Sequence, residues 1–145
     1  MDYLIDSNVL TYLANPVSPF YVVSMSATTK LADQSNRLFI VPQNLIEFWV
    51  SATRPTDANG LGLSVSQARQ EVQRIRGFFI LRDETPEIFR EWERLVLSHN
   101  IIGKSVHDTR LVAQMNVHNI EKILTFNVKD FHRYANINAV EPTSV

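Results

Sequence analysis

Apolar positions along the chain fall into two alternating rhythms: short unbroken runs, and longer stretches with helical spacing. Residues 2–5 (DYLI) are a short β-run ending at Asp6, and SNVLTYLAN then sets Val9, Leu10 and Leu13 at helical intervals. A second helix is predicted over about 18–34. The strand-length run LFIV follows at 38–41, and Pro42 opens PQNLIEFWVSAT at the first helical position, where proline is best tolerated. RPTDANGLGLS, 54–64, gathers Pro, Asn and Gly and predicts a loop longer than the usual connection. A helix over about 64–76 leads to a strand FFIL at 78–81, and Thr85-Pro86 starts the helix PEIFREWERLVLSHN. In IIGKSVHDTRLVAQMNV, Ser105 is the predicted cap of a helix reaching about 117. KILTF, 122–126, is a strand, NVKDFHRY a turn with a short helix, and INAV a last strand. Strands separated by helices imply a mostly parallel sheet covered on both faces, so the predicted fold is α/β, a three-layer α/β/α arrangement in one domain over 1–145.

A length of 145 residues, 45% of them hydrophobic, suits one core of ordinary domain size. The apolar runs fall well short of the roughly 18 to 20 residues that cross a bilayer, and residues 1–10 lack the order of a signal peptide, which predicts a cytoplasmic protein with no membrane partner. The chain has no cysteine, so disulfides, thiolate metal sites and thiol nucleophiles are excluded. A net charge of −1 gives no global attraction to nucleic acid, and any RNA contact must come from locally gathered basic residues.

Ligands of open parallel sheets bind beyond the carboxyl ends of the strands, which singles out acids placed just after strands. Asp6 closes the first strand, Glu47 lies one to two turns into the helix after the second, and Asp108 lies in the first turn of a late helix. Asn127 and Asp130 follow KILTF. Carboxylates converging on one sheet edge repel at neutral pH unless protons or a cation balance them, and oxygen ligands select a hard ion, Mg2+ or Mn2+. Such an ion polarises a phosphoryl oxygen and acidifies a bound water, which serves phosphodiester hydrolysis with no side-chain nucleophile. Each acid also has a plain alternative. Asp6 is placed to cap the following helix, Asp108 completes an S-x-x-D capping box with Ser105, and Asp130 caps a turn before Phe131. Glu47 is the most telling, because Leu45, Ile46, Phe48, Trp49 and Val50 surround it and an unpaired carboxylate on an apolar helix is costly to bury. His107 adjoins Asp108, but adjacent helical residues diverge, so a His–Asp ligand pair and zinc are not predicted.

Four segments, YLIDSNVLTYL, QNLIEFWVSATRP, SVHDTRLVAQM and ILTFNVKDF, resemble the PIN-domain family and within it the VapC-like toxins of prokaryotic toxin–antitoxin pairs, over nearly the whole chain. The resemblance implies a metal-dependent ribonuclease, often a homodimer, silenced by an antitoxin protein, with its acids at Asp6, Glu47 and Asp108. The chain departs from the simplest pattern at the fourth acid, where Asn127 stands and Asp130 follows three residues on as the substitute. Ser7, Asn8 and Thr125 are small polar residues able to hold the carboxylates or a metal-bound water from behind, or simply to cap helices. Arg54, Lys104, Arg110, Lys129 and Arg133 flank the acidic motifs and are the candidate RNA contacts. Gly60 and Gly62 beside Arg54 either admit a phosphate close to the backbone or only shape a turn.

Two other enzyme classes fit poorly. A phospho-aspartyl hydrolase wants a second aspartate two residues after the first, where this chain has Asn8, and a dinucleotide site wants glycines after the first strand, where residues 6–11 have none. The remaining alternative is a PIN-like module that binds RNA or a protein without cutting; the lost charge at Asn127 favours it, and the three retained acids oppose it.

Overall fold

In the computed structural model, which describes residues 1–145, five strands form one wholly parallel sheet in the order β3-β2-β1-β4-β5. The strands are β1 (Asp2–Ile5), β2 (Arg37–Ile40), β3 (Ile80–Leu81), β4 (Lys122–Leu124) and β5 (Asn138–Val140). Six α-helices connect them: α1 (Ser7–Leu13), α2 (Tyr21–Asp33), α3 (Pro42–Thr53), α4 (Val65–Phe78), α5 (Pro86–His99) and α6 (Ser105–His118). No helix is long and apolar enough to cross a membrane.

Side chains alternate between the two faces of a strand, and here both faces are apolar because both are covered. Tyr3, Ile5, Leu38, Ile40 and Leu124 pack on one side with Leu10, Leu31, Phe48 and Ile75 from α1 to α4. Leu4, Phe39 and Ile123 pack on the other with Leu95, Leu111, Val112 and Met115 from α5 and α6. This is the three-layer α/β/α architecture predicted from the alternating rhythms.

Two local readings are corrected. Phe78 belongs to the end of α4 and is 74% exposed, so the strand shrinks to Ile80–Leu81; an unbroken apolar run carries no period to say where helix gives way to strand. Ser105 does not cap α6: Lys104 is already helical at φ −68°, ψ −14°, no side chain caps the helix, and the Ser105 carbonyl accepts a bond from the Thr109 hydroxyl at 2.9 Å. The capping-box alternative for Asp108 therefore falls, and its carboxylate is free for other work.

Candidate active site at the sheet switch point

The strand order reverses between β1 and β4, because β2 and β3 were added on one side of β1 and the chain then crosses to the other. Such a reversal opens a crevice at the strands' carboxyl ends. Asp6 leaves β1 there, Thr125 leaves β4 there, and the first turns of α3 and α6 start from the same edge.

Asp6 is 6% exposed and is held from three sides. The Ser7 amide donates to its Oδ1 at 2.7 Å, the cap of α1 expected from the sequence, while the Thr125 hydroxyl donates to Oδ2 at 2.8 Å. The Asn8 amide donates to Asp6 Oδ2 at 3.4 Å and to Thr125 Oγ1 at 3.2 Å, and Asn8 Oδ1 accepts the Phe126 amide at 3.3 Å. The capping and site roles of Asp6 thus coexist, one oxygen serving the helix and the other facing β4. Burial pushes its pKa up, partly offset by the Thr125 and Ser7 bonds, and Asp130 adds a further upward push.

Glu47, in the second turn of α3, is pushed up to about 7, first by burial and then by repulsion from Asp6 and Asp108, against a small downward pull from the Gln43 amide. Its Oε1 is buried and accepts no hydrogen bond. A buried oxygen without a partner is rare and asks for an explanation. Arg110, a basic residue on α6, is engaged elsewhere, donating to Glu84 at 2.7 Å and to Gln43 at 3.1 Å. Asp108 is pushed up to about 6 by burial, then by Asp130 and Asp6, with His107 and Arg133 pulling it down.

Asp130 therefore acts electrostatically on both Asp6 and Asp108, while Asn127 enters the arrangement through its backbone. The Asn127 N–H donates to Thr125 Oγ1 at 3.0 Å and its carbonyl accepts the Asp130 N–H at 3.1 Å, closing the 3-10 turn Val128–Phe131 that carries Asp130. A 2.6 Å bond between the hydroxyls of Thr109 and Tyr134, beyond that turn, ties it to α6 next to Asp108. Four carboxylates from four different segments thus lie at one edge, with Asp6 and Asp108 raising Glu47 and Asp130 raising Asp6 and Asp108. No three Asp, Glu or His side chains stand close enough together to hold an ion directly as placed.

Of the candidate basic residues, Lys104, Lys129 and Arg133 are exposed and engage in no ion pair. Arg110 is committed to Glu84. Arg54 ends α3, and the loop after it folds back on the helix: the Gly62 amide donates to the Arg54 carbonyl at 2.9 Å, and a Cβ on Gly60 would lie 1.8 Å from that same oxygen. Gly62, at φ +66°, sits in the left-handed region. The two glycines shape this turn. The sequence does not single out Gln43; its signal is a polar side chain one helical turn before Glu47.

No family model matches the chain, and a sequence search of curated proteins also finds no match. Solved structures do match. The VapBC2 structure from Rickettsia felis, bound to a DNA fragment from its promoter, contains a chain that superposes with a TM-score of 0.70 at 18% identity, covering 97% of this chain and 98% of that one. VapBC-1 from nontypeable Haemophilus influenzae gives 0.68 at 16% identity, with 99% of both chains covered. VapC20 from Mycobacterium tuberculosis, a Sarcin-Ricin loop cleaving toxin, gives 0.64 at 14% identity, covering 91% and 95%. The fold is the PIN-like fold of these toxin–antitoxin chains.

Proposed function

We propose that this chain is a divalent-metal-dependent endoribonuclease, the toxin of a toxin–antitoxin pair, with Asp6, Glu47 and Asp108 as metal-holding carboxylates and Asp130 as the fourth acid. The observation that carries the reading is Glu47: a carboxylate raised to about 7 by burial and by two neighbouring acids, with a buried oxygen that nothing in the protein satisfies. Raised acids clustered in a crevice mark functional sites. The donor set is all oxygen, which fits Mg2+ or Mn2+; these ions commonly keep several waters and take few carboxylates directly, so separated acids suit them better than a tight cage. Bound there, the ion would polarise the scissile phosphoryl oxygen and acidify the attacking water.

The chain's own residues do the rest. Thr125, Asn8 and the Ser7 amide lock the Asp6 carboxylate in one orientation. Asp130, on its exposed turn, would orient or accept a proton from water entering the crevice. Lys104, Lys129 and Arg133, exposed and unpaired, supply the local positive charge that phosphate needs beside an acidic site. The solved relatives in fold include complexes with antitoxins and one Sarcin-Ricin loop cleaving toxin, which supports an RNA substrate and an antitoxin partner for this chain. The test is cleavage of RNA by the purified protein with Mg2+ or Mn2+, compared with EDTA and with Asp6→Asn. Cleavage that is metal-independent, or undiminished in Asp6→Asn, would overturn the reading; stoichiometric RNA binding with no cleavage would favour a non-cutting module.

A further inference from the structure

We infer that Gln43 is a positioning residue that fixes the separation of Glu47 and Asp108 by bridging α3 to α6, an inference that rests on the metal-dependent reading above. Gln43 is 8% exposed, and its Nε2 donates to the His107 carbonyl at 2.8 Å, the peptide immediately before Asp108. Its Oε1 accepts from Arg110 Nη1 at 3.1 Å and from Gln114 Nε2 at 3.0 Å, two donors one helical turn apart on α6. Arg110 then reaches Glu84, in the segment between β3 and α5, at 2.7 Å. Two donors against one end of the amide and a carbonyl against the other leave it a single orientation. One amide thus ties α3, in the turn before Glu47, to α6 at two levels.

The consequence for the site is geometric. Glu47 and Asp108 sit on different helices, and neither carboxylate is anchored as Asp6 is: Glu47 Oε1 has no partner, and the group feels only a small pull from the Gln43 amide. Asp6 is oriented by its own contacts, whereas the spacing of the other two acids depends on how α3 and α6 are joined. Of the hydrogen bonds in the structure, those of Gln43 make that join beside the site. The arrangement also engages Arg110, flanking an acidic motif in sequence, with Gln43 and Glu84.

Asparagine keeps the amide but is one methylene shorter and cannot span the gap, so Gln43→Asn tests bridging separately from mere satisfaction of buried groups. Mn2+ affinity is measured by calorimetry on folded wild type, Gln43→Asn, and Ile75→Ala, a buried residue towards the far end of α4 that loosens the core without touching the bridge. Supporting groups behind metal ligands change affinity by about 10- to 100-fold. The expected result is about tenfold weaker binding in Gln43→Asn, unchanged binding in Ile75→Ala, and a fall in kcat with KM for RNA unchanged. Wild-type affinity in Gln43→Asn, or equal weakening in Ile75→Ala, would overturn the inference. Absence of Mn2+ binding by the wild type would instead overturn the metal-dependent reading itself.

Discussion

Glu47→Gln should make the metal-free protein more stable and the enzyme inactive, and the stability gain should depend on pH. Folded Glu47 titrates at about 7 against an ordinary value of 4.5, so between those values the native state holds more protons than the unfolded chain. Stability contributed by the protonated group is then present below pH 4.5 and is lost as pH rises through about 7. At about 1.36 kcal/mol per pH unit the difference is at most roughly 3.4 kcal/mol, and solvent reaching a half-buried carboxyl reduces it to about 1–2 kcal/mol. Glutamine keeps the shape and never ionises. In EDTA at pH 8 its melting temperature should exceed that of wild type by about 3–6 °C, at roughly 3 °C per kcal/mol for a chain of this length. At pH 5, where native Glu47 already carries its proton, most of the gain should vanish. Calorimetric melts at the two pH values, beside an RNA cleavage assay with Mg2+, measure both halves. A gain that does not change with pH would refute the electrostatic argument. A loss on the order of 3 kcal/mol or more at pH 8 would mean that Glu47 has a buried basic partner after all, contrary to the pairing of Arg110 with Glu84.

Asp108→Asn should weaken Mg2+ or Mn2+ binding at least tenfold in calorimetric titration, and equal affinity would remove Asp108 from the ion's ligands. Asp130→Asn should lower the cleavage rate more than Asn127→Ala does, because Asp130 acts on both Asp6 and Asp108 whereas Asn127 contributes its backbone; the reverse order would restore Asn127 as the fourth site residue. Gly60→Ala should destabilise by about 1–3 kcal/mol in urea unfolding, since its Cβ would meet the Arg54 carbonyl at 1.8 Å, and a neutral effect would show that this loop yields freely. Sedimentation should show a homodimer, consistent with the apolar Phe89 and Leu97 left exposed on α5, and a monomer throughout the micromolar range would exclude it.

What could be read from the sequence was what local pattern encodes. The run ending at Asp6, followed by Val9, Leu10 and Leu13 at helical spacing, reads as a strand turning into a helix. Glu47 was conspicuous because its neighbours on α3 are apolar. Errors arose where a pattern had two local solutions. FFIL is apolar throughout, so nothing in it shows that Phe78 still belongs to α4. Ser105 followed by Asp108 has the spelling of a capping box, but Gly103, at φ +63°, and Lys104 bring the chain into the helix one residue early, and the serine becomes its first member.

The choice between Asn127 and Asp130, which the sequence leaves open, and the bridge at Gln43, which it does not show, both depend on how distant segments meet. Counting residues after β4 points to Asn127, yet the chain does not run straight there. The Asn127 carbonyl closes a 3-10 turn that carries Asp130, whose charge is felt by both Asp6 and Asp108. A substitution that looks like the loss of a site residue is thus compatible with an intact set of four acids, which weakens the case for a non-cutting module. Gln43 likewise has no local signature beyond being polar, since its partners lie 64, 67 and 71 residues away. Asp6 closes a strand and Glu47 stands on an apolar helix stretch, and both can be found by reading along the chain. The groups that set their spacing lie between helices, and only the packed structure identifies them.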